Sequence, residues 1–192
     1  NIIQTEDEYY AVARAKSENT DYTRFTNKLE EQGVDYLEFR SLDLDPFSRI
    51  GISRETMLFL EMFMIYCYLK PSEPISLEEE KNIRMNDSSV AYFGRKPGLI
   101  LNREDEAITL KDWANQILLD MESIAEMLDT DNSDYKETIK EMKSKIANPD
   151  LTLSGLIMKK MQNDKVSYLE LGEEISKFNK EYYLDLERSK NN

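Results

Sequence analysis

Polar and apolar positions in the first quarter of the chain follow the patterns of a strand–helix–strand unit. Ile2 to Ala15 are predicted to be extended, and Val34 to Leu44 are predicted to form a second strand, which Asp45-Pro46 closes. Between them, Asp21 to Gln32 are predicted to form a helix that ends at Gly33, a suitable C-cap residue. Two strands alone are only marginally stable in water. We therefore expect them to pair with strands that this chain does not contain, or to present an exposed edge.

Helical spacing of apolar residues dominates the rest of the chain. Six helices are predicted: Ser53 to Leu69, a segment opened by the capping box Ser76 to Glu79, Thr109 to Leu128, Ser133 to Ile146, about Asp150 to Gln162, and Ser167 to Arg188. Asp150 is the expected N-cap of the fifth. The glycines and the proline of the stretch Gly94 to Gly98 predict a turn.

Two of these helices have contrasting surfaces. The run from Thr56 to Leu69 is apolar nearly all round, which favours a buried helix. It is shorter than the roughly 20 residues needed to span a bilayer, and Glu61 interrupts it. The helix from Ser133 to Ile146 carries many charges and is expected to be exposed.

These patterns predict an α+β fold that is predominantly helical. We expect one domain in two unequal parts: residues 1–46, with the strand–helix–strand unit, and residues 47–192, a helical body. The apolar content of 40% is too high for a disordered chain, and 192 residues suffice for a real core.

Charge and composition exclude several classes of function. With 25 basic and 38 acidic residues the formal charge is −13, which argues against binding nucleic acid or an anionic membrane through the bulk surface. The single cysteine, Cys67, excludes an internal disulfide and fits the cytoplasm. Histidine is absent, so no Ser-His or Cys-His pair can form. Any metal must be held by oxygen ligands, which points to Mg²⁺, Mn²⁺ or Ca²⁺.

Candidate chemistry lies in the middle of the second predicted strand. Side chains alternate across a strand, so Tyr36, Glu38 and Arg40 share one face, at a spacing of roughly 6–7 Å. A carboxylate and a guanidinium at that spacing could hold a metal ion and a phosphate between them. The same residues could equally form a solvated strand face or a cross-strand ion pair. The pattern by itself leaves both interpretations open.

The first extended stretch has a similar charged face. Residues of one parity there are Glu6, Glu8, Tyr10, Arg14 and Lys16. Many edge strands carry charges that prevent aggregation, so this face has an ordinary structural explanation as well.

Two other stretches could suggest ligand sites. Asp129 to Glu137 is rich in carboxylates, but Asp134 stands where a calcium-binding loop needs glycine and Lys140 where it needs glutamate, which favours a loop between helices. The turn from Gly94 to Gly98 could offer backbone N–H groups to an anion, or it could be a plain turn.

Four motifs, in a consistent order, resemble bacterial glutamate–cysteine ligases. They are "EDEYYAVARAK" (6–16), "YLEFRSLDLDPFSRIGI" (36–52), "GRKPGL" (94–99) and "NPDLTLS" (148–154). The second is the longest and the most specific. The first departs from the family pattern at Asp7, Val12 and Ala13.

The resemblance implies a function in the first step of glutathione biosynthesis. Enzymes of this family use ATP and Mg²⁺ or Mn²⁺ to join the γ-carboxylate of L-glutamate to the amine of L-cysteine through γ-glutamyl phosphate. Their fold is similar to glutamine synthetase, in which a curved antiparallel sheet forms a funnel. By resemblance, Glu38 matches a metal ligand, Arg40 the arginine on the transferring phosphoryl group, and Tyr10 a tyrosine of the cysteine pocket.

The length of the chain changes what the resemblance implies. Family members are several hundred residues long. This chain is therefore expected to be the C-terminal portion of such a ligase, either of a separate enzyme or of the ligase module in a bifunctional glutathione-synthesising enzyme. We expect it to need the N-terminal part of the same ligase as its partner and to be inactive alone. An alternative is a non-catalytic helical interaction or regulatory module, which the acidic surface and the apolar helix from Thr56 to Leu69 would suit.

Overall fold

The chain divides into two compact units, Asn1–Leu44 and Asp45–Asn192. The structure is a computed structural model, and it describes residues 11–18, 24–104, 106–130 and 134–190.

The first unit contains the predicted strand–helix–strand order. It consists of β1 (Ala13–Lys16), α1 (Phe25–Gln32) and β2 (Tyr36–Phe39), with β1 and β2 antiparallel. Helix α1 ends as predicted at Gly33, whose positive φ of 82° suits glycine and whose N–H donates to the Leu29 carbonyl. Strand β2 is shorter than predicted, and its described ladder runs from the pair Ala13–Phe39 to the pair Lys16–Tyr36. Residues 2–10 of the first predicted strand lie outside the described residues.

The second unit is mainly helical. Its elements are α2 (Arg54–Leu69), α3 (Leu77–Phe93), β3 (Ile100–Arg103), β4 (Glu106–Thr109), α4 (Leu110–Leu128), α5 (Tyr135–Ala147), α6 (Leu153–Asp164) and α7 (Tyr168–Lys190). Four of these helices begin after a Ser or Thr whose side chain accepts the N–H three residues on: Ser53, Ser76, Thr109 and Thr152. The α+β, predominantly helical class is thus confirmed.

A second antiparallel hairpin, formed by β3 and β4, was not predicted. Its strands pair Leu101 with Ile108, and Glu104 in the turn has a positive φ of 51°. The side chain of Asn86 on α3 holds β3, because its amide accepts the Asn102 N–H at 2.9 Å and donates to the Asn102 carbonyl at 2.7 Å. The hairpin is therefore held by two hydrogen bonds from a residue 16 positions away, which local sequence patterns do not reveal.

Helix α4 supplies most of the hydrophobic core. The buried core cluster consists of Met62 from α2, Leu118, Met121, Ile124 and Ala125 from α4, and Ile139 from α5. Helix α4 carries apolar residues on one face at helical spacing, so it can contact α2 and α5 at once.

The expectation that α2 is buried on all sides is wrong. Met62 is fully buried, whereas Tyr68 is 89% exposed and Leu69 66% exposed. Helices α4 and α5 pack against one side of α2, where Phe59 and Phe63 also reach the core. The other side of α2 is also apolar but is exposed. Because apolar residues occupy nearly every face of this helix, its sequence does not show which face is buried.

The expectation that α5 is exposed is wrong for one of its faces. Tyr135, Ile139, Met142 and Ile146 recur at helical spacing and pack on the core cluster. Thr138 is also buried, at 1% exposure. The charged residues occupy the remaining faces, so the high charge content obscured an amphipathic helix.

The predicted cap at Asp150 is also wrong. Asn148 accepts the Asp150 N–H and opens a short 3₁₀ turn, Pro149–Leu151, so the next helix begins only at Leu153. Thr152 is its N-cap, and its hydroxyl accepts the Gly155 N–H. Asp150 thereby lies in the turn, directly against Gly155.

The last helix, α7, starts with a reciprocal capping box. The Ser167 N–H donates to the Glu170 carboxylate at 2.7 Å, and the Glu170 N–H donates to the Ser167 hydroxyl at 3.3 Å. Further along, the Arg49 guanidinium lies 3.5 Å from the centre of the Tyr182 ring. This cation–π contact fastens α7 to the segment that precedes α2.

Across the described ranges, no helix combines the length and the apolar character that crossing a membrane requires.

Replacing Gly155 by alanine tests the close contact between the 3₁₀ turn and α6. A Cβ there would lie 2.6 Å from the Asp150 carbonyl oxygen. We expect Gly155→Ala to lower the free energy of unfolding by roughly 1–3 kcal/mol, measured by urea denaturation.

The matched control is Gly172→Ala on α7, where nothing lies within 4 Å. That change should raise stability by roughly 0.5–1 kcal/mol. Equal effects of the two changes would contradict the packing described.

Candidate active site

The candidate site lies on the two-stranded ribbon of the first unit. The register pairs Arg14 with Glu38 and Lys16 with Tyr36. Backbone bonds continue beyond both ends of the ladder, from the Arg40 N–H to the Val12 carbonyl and from the Asp35 N–H to the Lys16 carbonyl, each 2.9 Å. Arg40 therefore continues the extended course of β2, although it follows the strand's last residue.

Asp35 fixes the chain where β1 ends and β2 begins. Its Oδ2 accepts the Ser17 hydroxyl at 3.0 Å and the Glu18 N–H at 2.8 Å. A short acidic side chain that accepts nearby N–H and O–H groups is typical of such chain ends. These bonds hold the register that places Lys16 near Glu38.

One face of the ribbon carries a cluster of four ionisable side chains. Arg40 Nη2 donates to Glu38 Oε2 at 3.0 Å, and Lys16 Nζ lies 3.3 Å from the same oxygen. Arg14 stands opposite Glu38 in the register. We call Arg14, Lys16, Glu38 and Arg40 the ribbon cluster. It joins groups from both strands, since opposite residues of an antiparallel pair project to the same side.

The two cations favour the ionised form of Glu38. The hydrogen bond from Arg40 is the largest influence and lowers the pKa of the Glu38 carboxyl below its ordinary value, and Lys16 lowers this pKa further. Partial removal from water opposes them only in part. Glu38 is thus held as a carboxylate, which is the form that a metal ion needs.

The structure agrees with the sequence on which strand face carries Glu38 and Arg40, and it differs on the distance between their side chains. Glu38 and Arg40 share one face, as the alternation predicts. They are in direct contact, however, because the long arginine side chain closes the distance that strand geometry leaves open. The cross-strand ion pair that the sequence left open forms between Lys16 and Glu38. Binding of a phosphate and a metal between them stays a prediction, and Tyr10 lies outside the described residues.

Glu38 has the chemistry of one metal ligand but not of a complete site. Both described contacts use Oε2, so Oε1 is the oxygen that a metal ion could take. Within the ranges that the structure describes, no three carboxylate or thiol side chains cluster in a way that could hold a metal. Glu38 alone could therefore supply only part of the oxygen ligands that such an ion takes.

The two other stretches have structural explanations. In the turn from Gly94 to Gly98, the Lys96 N–H donates to Phe93 and the Leu99 N–H donates to the Lys96 carbonyl. Those bonds support the plain-turn interpretation. In the stretch from 129 to 137, Asp129 accepts the Tyr135 N–H and Asp134 pairs with Arg54, as expected of a loop between helices.

Lys16 is the member of the site that sequence reasoning missed. Its parity with Arg14 was visible, but its contact with Glu38 depends on the register of the two strands. The bonds made by Asp35 help to hold that register.

Comparison with known proteins shows a consistent relationship. The family model described as glutamate–cysteine ligase matches residues 1–90. A glutamate–cysteine ligase of Shewanella amazonensis is 38% identical over 82% of this chain and 30% of its own length. The chain spans about a third of the length of the curated relatives it matches.

Two solved structures resemble this fold. The crystal structure of a glutamate–cysteine ligase from Francisella tularensis in complex with AMP has a TM-score of 0.81 and 30% identity, covering 92% of this chain and 36% of that one. The crystal structure of a bifunctional glutathione synthetase from Pasteurella multocida has a TM-score of 0.68 at 20% identity, covering 92% of this chain and 22% of that one. The second likeness concerns the fold alone.

Removing the guanidinium of Arg40 tests the electrostatics of the ribbon cluster. We expect Arg40→Met to raise the pKa of the Glu38 carboxyl towards its ordinary value, measured by NMR titration of that carboxyl carbon. A lowered pKa in the folded state stabilises the fold above the unfolded-state pKa, and this stabilisation is lost as the pH falls through the folded-state pKa. The variant should therefore lose this part of the acid dependence of stability.

The matched control is Arg84→Met, which removes an exposed arginine paired with Glu80 on α3. It should leave the pKa of Glu38 unchanged. A Glu38 pKa that is the same in the Arg40→Met variant as in the parent chain would show that the described pair does not form.

Proposed function

Because the chain is related to glutamate–cysteine ligases over most of its length, we propose that it forms part of such an enzyme. The reaction is the ATP-dependent joining of the γ-carboxylate of L-glutamate to the amine of L-cysteine through γ-glutamyl phosphate, the first step of glutathione biosynthesis. The observation that carries the proposal is the ribbon cluster, in which a carboxylate and cations share one strand face. We place the enzyme in the cytoplasm.

Arg40 is the proposed contact of the transferring phosphoryl group. Phosphoryl transfer depends mainly on positioning and on neutralising charge, because the transition state spreads negative charge over the phosphoryl oxygens. A guanidinium has five N–H donors in a rigid fork, so it can hold Glu38 and a phosphate oxygen together. The bond to Glu38 would then orient Arg40 before the nucleotide arrives.

Glu38 is the proposed ligand of Mg²⁺ or Mn²⁺. The ion would neutralise charge on the phosphates of ATP. Glu38 contributes a carboxylate that its neighbours keep ionised, and its Oε1 is directed to neither described cation contact. Without the ion, the Lys16 ammonium group would balance the negative charge of the Glu38 carboxylate.

The remaining roles need no nucleophilic side chain from the protein. Once the γ-carboxylate of glutamate is phosphorylated, the amine of cysteine attacks the acyl carbon and phosphate leaves with the electron pair of the broken C–O bond. Tyr10 is the proposed contact in the cysteine pocket. The absence of histidine and the single cysteine are compatible with this chemistry.

Most of the site must be supplied by the rest of the ligase. The chain spans about a third of the length of its relatives, and Glu38 is one ligand of a metal that takes several oxygens. We infer that the N-terminal part of the same enzyme is the partner of this chain. The 192-residue chain alone should then release no phosphate from ATP.

Substitutions in the complete ligase test the proposed roles. We expect Arg40→Lys and Glu38→Gln each to lower turnover on the order of 10²–10³-fold, since each removes one preorganised group at developing charge. The measurement is phosphate release with ATP, glutamate, cysteine and Mg²⁺. Circular dichroism and urea denaturation establish that each variant is folded.

The matched controls are Arg84→Lys and Glu80→Gln, which make the same changes in an exposed pair on α3. They should retain the activity of the parent enzyme. Folded Arg40→Lys and Glu38→Gln enzymes with parental turnover would refute the proposed roles and favour a non-catalytic module. Robust turnover by the isolated 192-residue chain would refute the need for a partner.

A further inference from the structure

The second unit contains a cavity of about 600 Å³ that the ribbon cluster does not explain. Helices α2, α4 and α5 line it together with the turn from Gly94 to Leu99 and the start of α6. Its volume falls within the range of small-molecule sites, roughly 300–1,000 Å³. The cavity adjoins the core, because Leu118 of the buried cluster and Ile117, which packs against that cluster, both line it.

The wall of the cavity is predominantly apolar. Phe59 and Phe63 of α2, Ala114 and Ile117 of α4, and Met142 of α5 contribute to it. A surface of this kind favours an alkyl or aryl body, because burying apolar area contributes about 25 cal/mol per Å². It disfavours a nucleotide base, whose ring nitrogens and amino group would lose hydrogen bonds to water there.

Among the described residues that line the cavity, the charged ones are lysines: Lys96, Lys111 and Lys145. Lys145 pairs with Glu141 at 2.6 Å. Lys96 and Lys111 are exposed and have no ion-pair partner within the described residues. Their ammonium groups therefore lie on the solvent side of an apolar wall, in a chain whose overall charge is −13.

Lys111 is placed against the electrostatic preference of its own helix. It lies in the first turn of α4, directly after Leu110, where the helix dipole favours negative charge. An anion beside Lys111 would offset this unfavourable charge, and Lys96 lines the same cavity. The cavity is lined by the positive starts of α4 and α6 and by the negative end of α5, so the helix dipoles oppose one another. The charge of the preferred ligand is therefore set by the lysines.

We propose that this cavity binds an amphipathic monoanion, with an alkyl or aryl body against α2 and α4 and a carboxylate head on Lys111 and Lys96. The volume of about 600 Å³ leaves room for a ligand of small-molecule size. A saturated carboxylic acid of medium chain length satisfies both the volume and the charge. None of the residues that line the cavity belongs to the ribbon cluster.

Isothermal titration of the 192-residue chain with dodecanoate, below its critical micelle concentration, tests the proposal. We expect one molecule to bind per chain and to raise the Tm. Ala114→Leu fills the cavity and should abolish binding. Lys111→Gln removes the head-group contact and should weaken binding by up to about fivefold, because water screens the charge of an exposed lysine.

Matched controls separate the cavity from the surface. Ala91→Leu on the exposed side of α3 and Lys180→Gln on α7 change residues that do not line the cavity. Both should bind dodecanoate like the parent chain. Glu38→Gln should also bind it normally, so the failure of this proposal and the failure of the ligase proposal are distinguishable.

Several results would overturn the proposal. Absence of dodecanoate binding would do so, as would binding that survives Ala114→Leu. Dodecan-1-ol binding as tightly as dodecanoate would show that the lysines do not select an anion and that the cavity is an apolar seat for another part of the ligase. Displacement of dodecanoate by AMP would assign the cavity to a nucleotide instead.

Discussion

The candidate site depends on one carboxylate oxygen, Oε2 of Glu38, that is shared by cations from two strands. Arg40 reaches it along β2, and Lys16 reaches it from β1. All three side chains are partly exposed, so water screens the attraction and its contribution to stability is small. What the contact supplies is position: it keeps a carboxylate ionised and a guanidinium oriented on the same face of a short ribbon.

A different constraint organises the second unit. Helix α4 is the element that α2 and α5 both contact, and its buried residues form most of the core. The same helix forms one wall of the apolar cavity, through Ala114 and Ile117, and carries Lys111 at its first turn. The core and the cavity therefore both depend on α4, which packs against α2 and α5 and also lines the cavity.

Local chemistry was predictable at several helix ends, although the cap expected at Asp150 was wrong. Ser53 and Ser76 mark the helix starts, and Gly33 ends α1 with the positive φ expected of glycine. Features that depend on distant partners were not. The hairpin of β3 and β4 is held by Asn86 from α3. The apolar spacing of α5 is present in the sequence, but the high charge content of the helix obscured it.

The site shows the same division between local and distant information. Alternation along β2 places Glu38 and Arg40 on one face, whatever their surroundings. The contribution of Lys16 required the register of two strands, which Asp35 helps to hold through bonds to Ser17 and Glu18. The direct contact between Glu38 and Arg40 required side-chain conformations that a sequence pattern does not contain.

The most direct test of this account is a crystal structure of the complete ligase with Mg²⁺ and a non-hydrolysable ATP analogue. We expect a Glu38 carboxylate oxygen at about 2.0–2.1 Å from the metal, and the Arg40 guanidinium within hydrogen-bonding distance of the γ-phosphate. The account would be contradicted if the metal and the triphosphate bound elsewhere while Glu38, Arg40 and Lys16 kept only one another as partners.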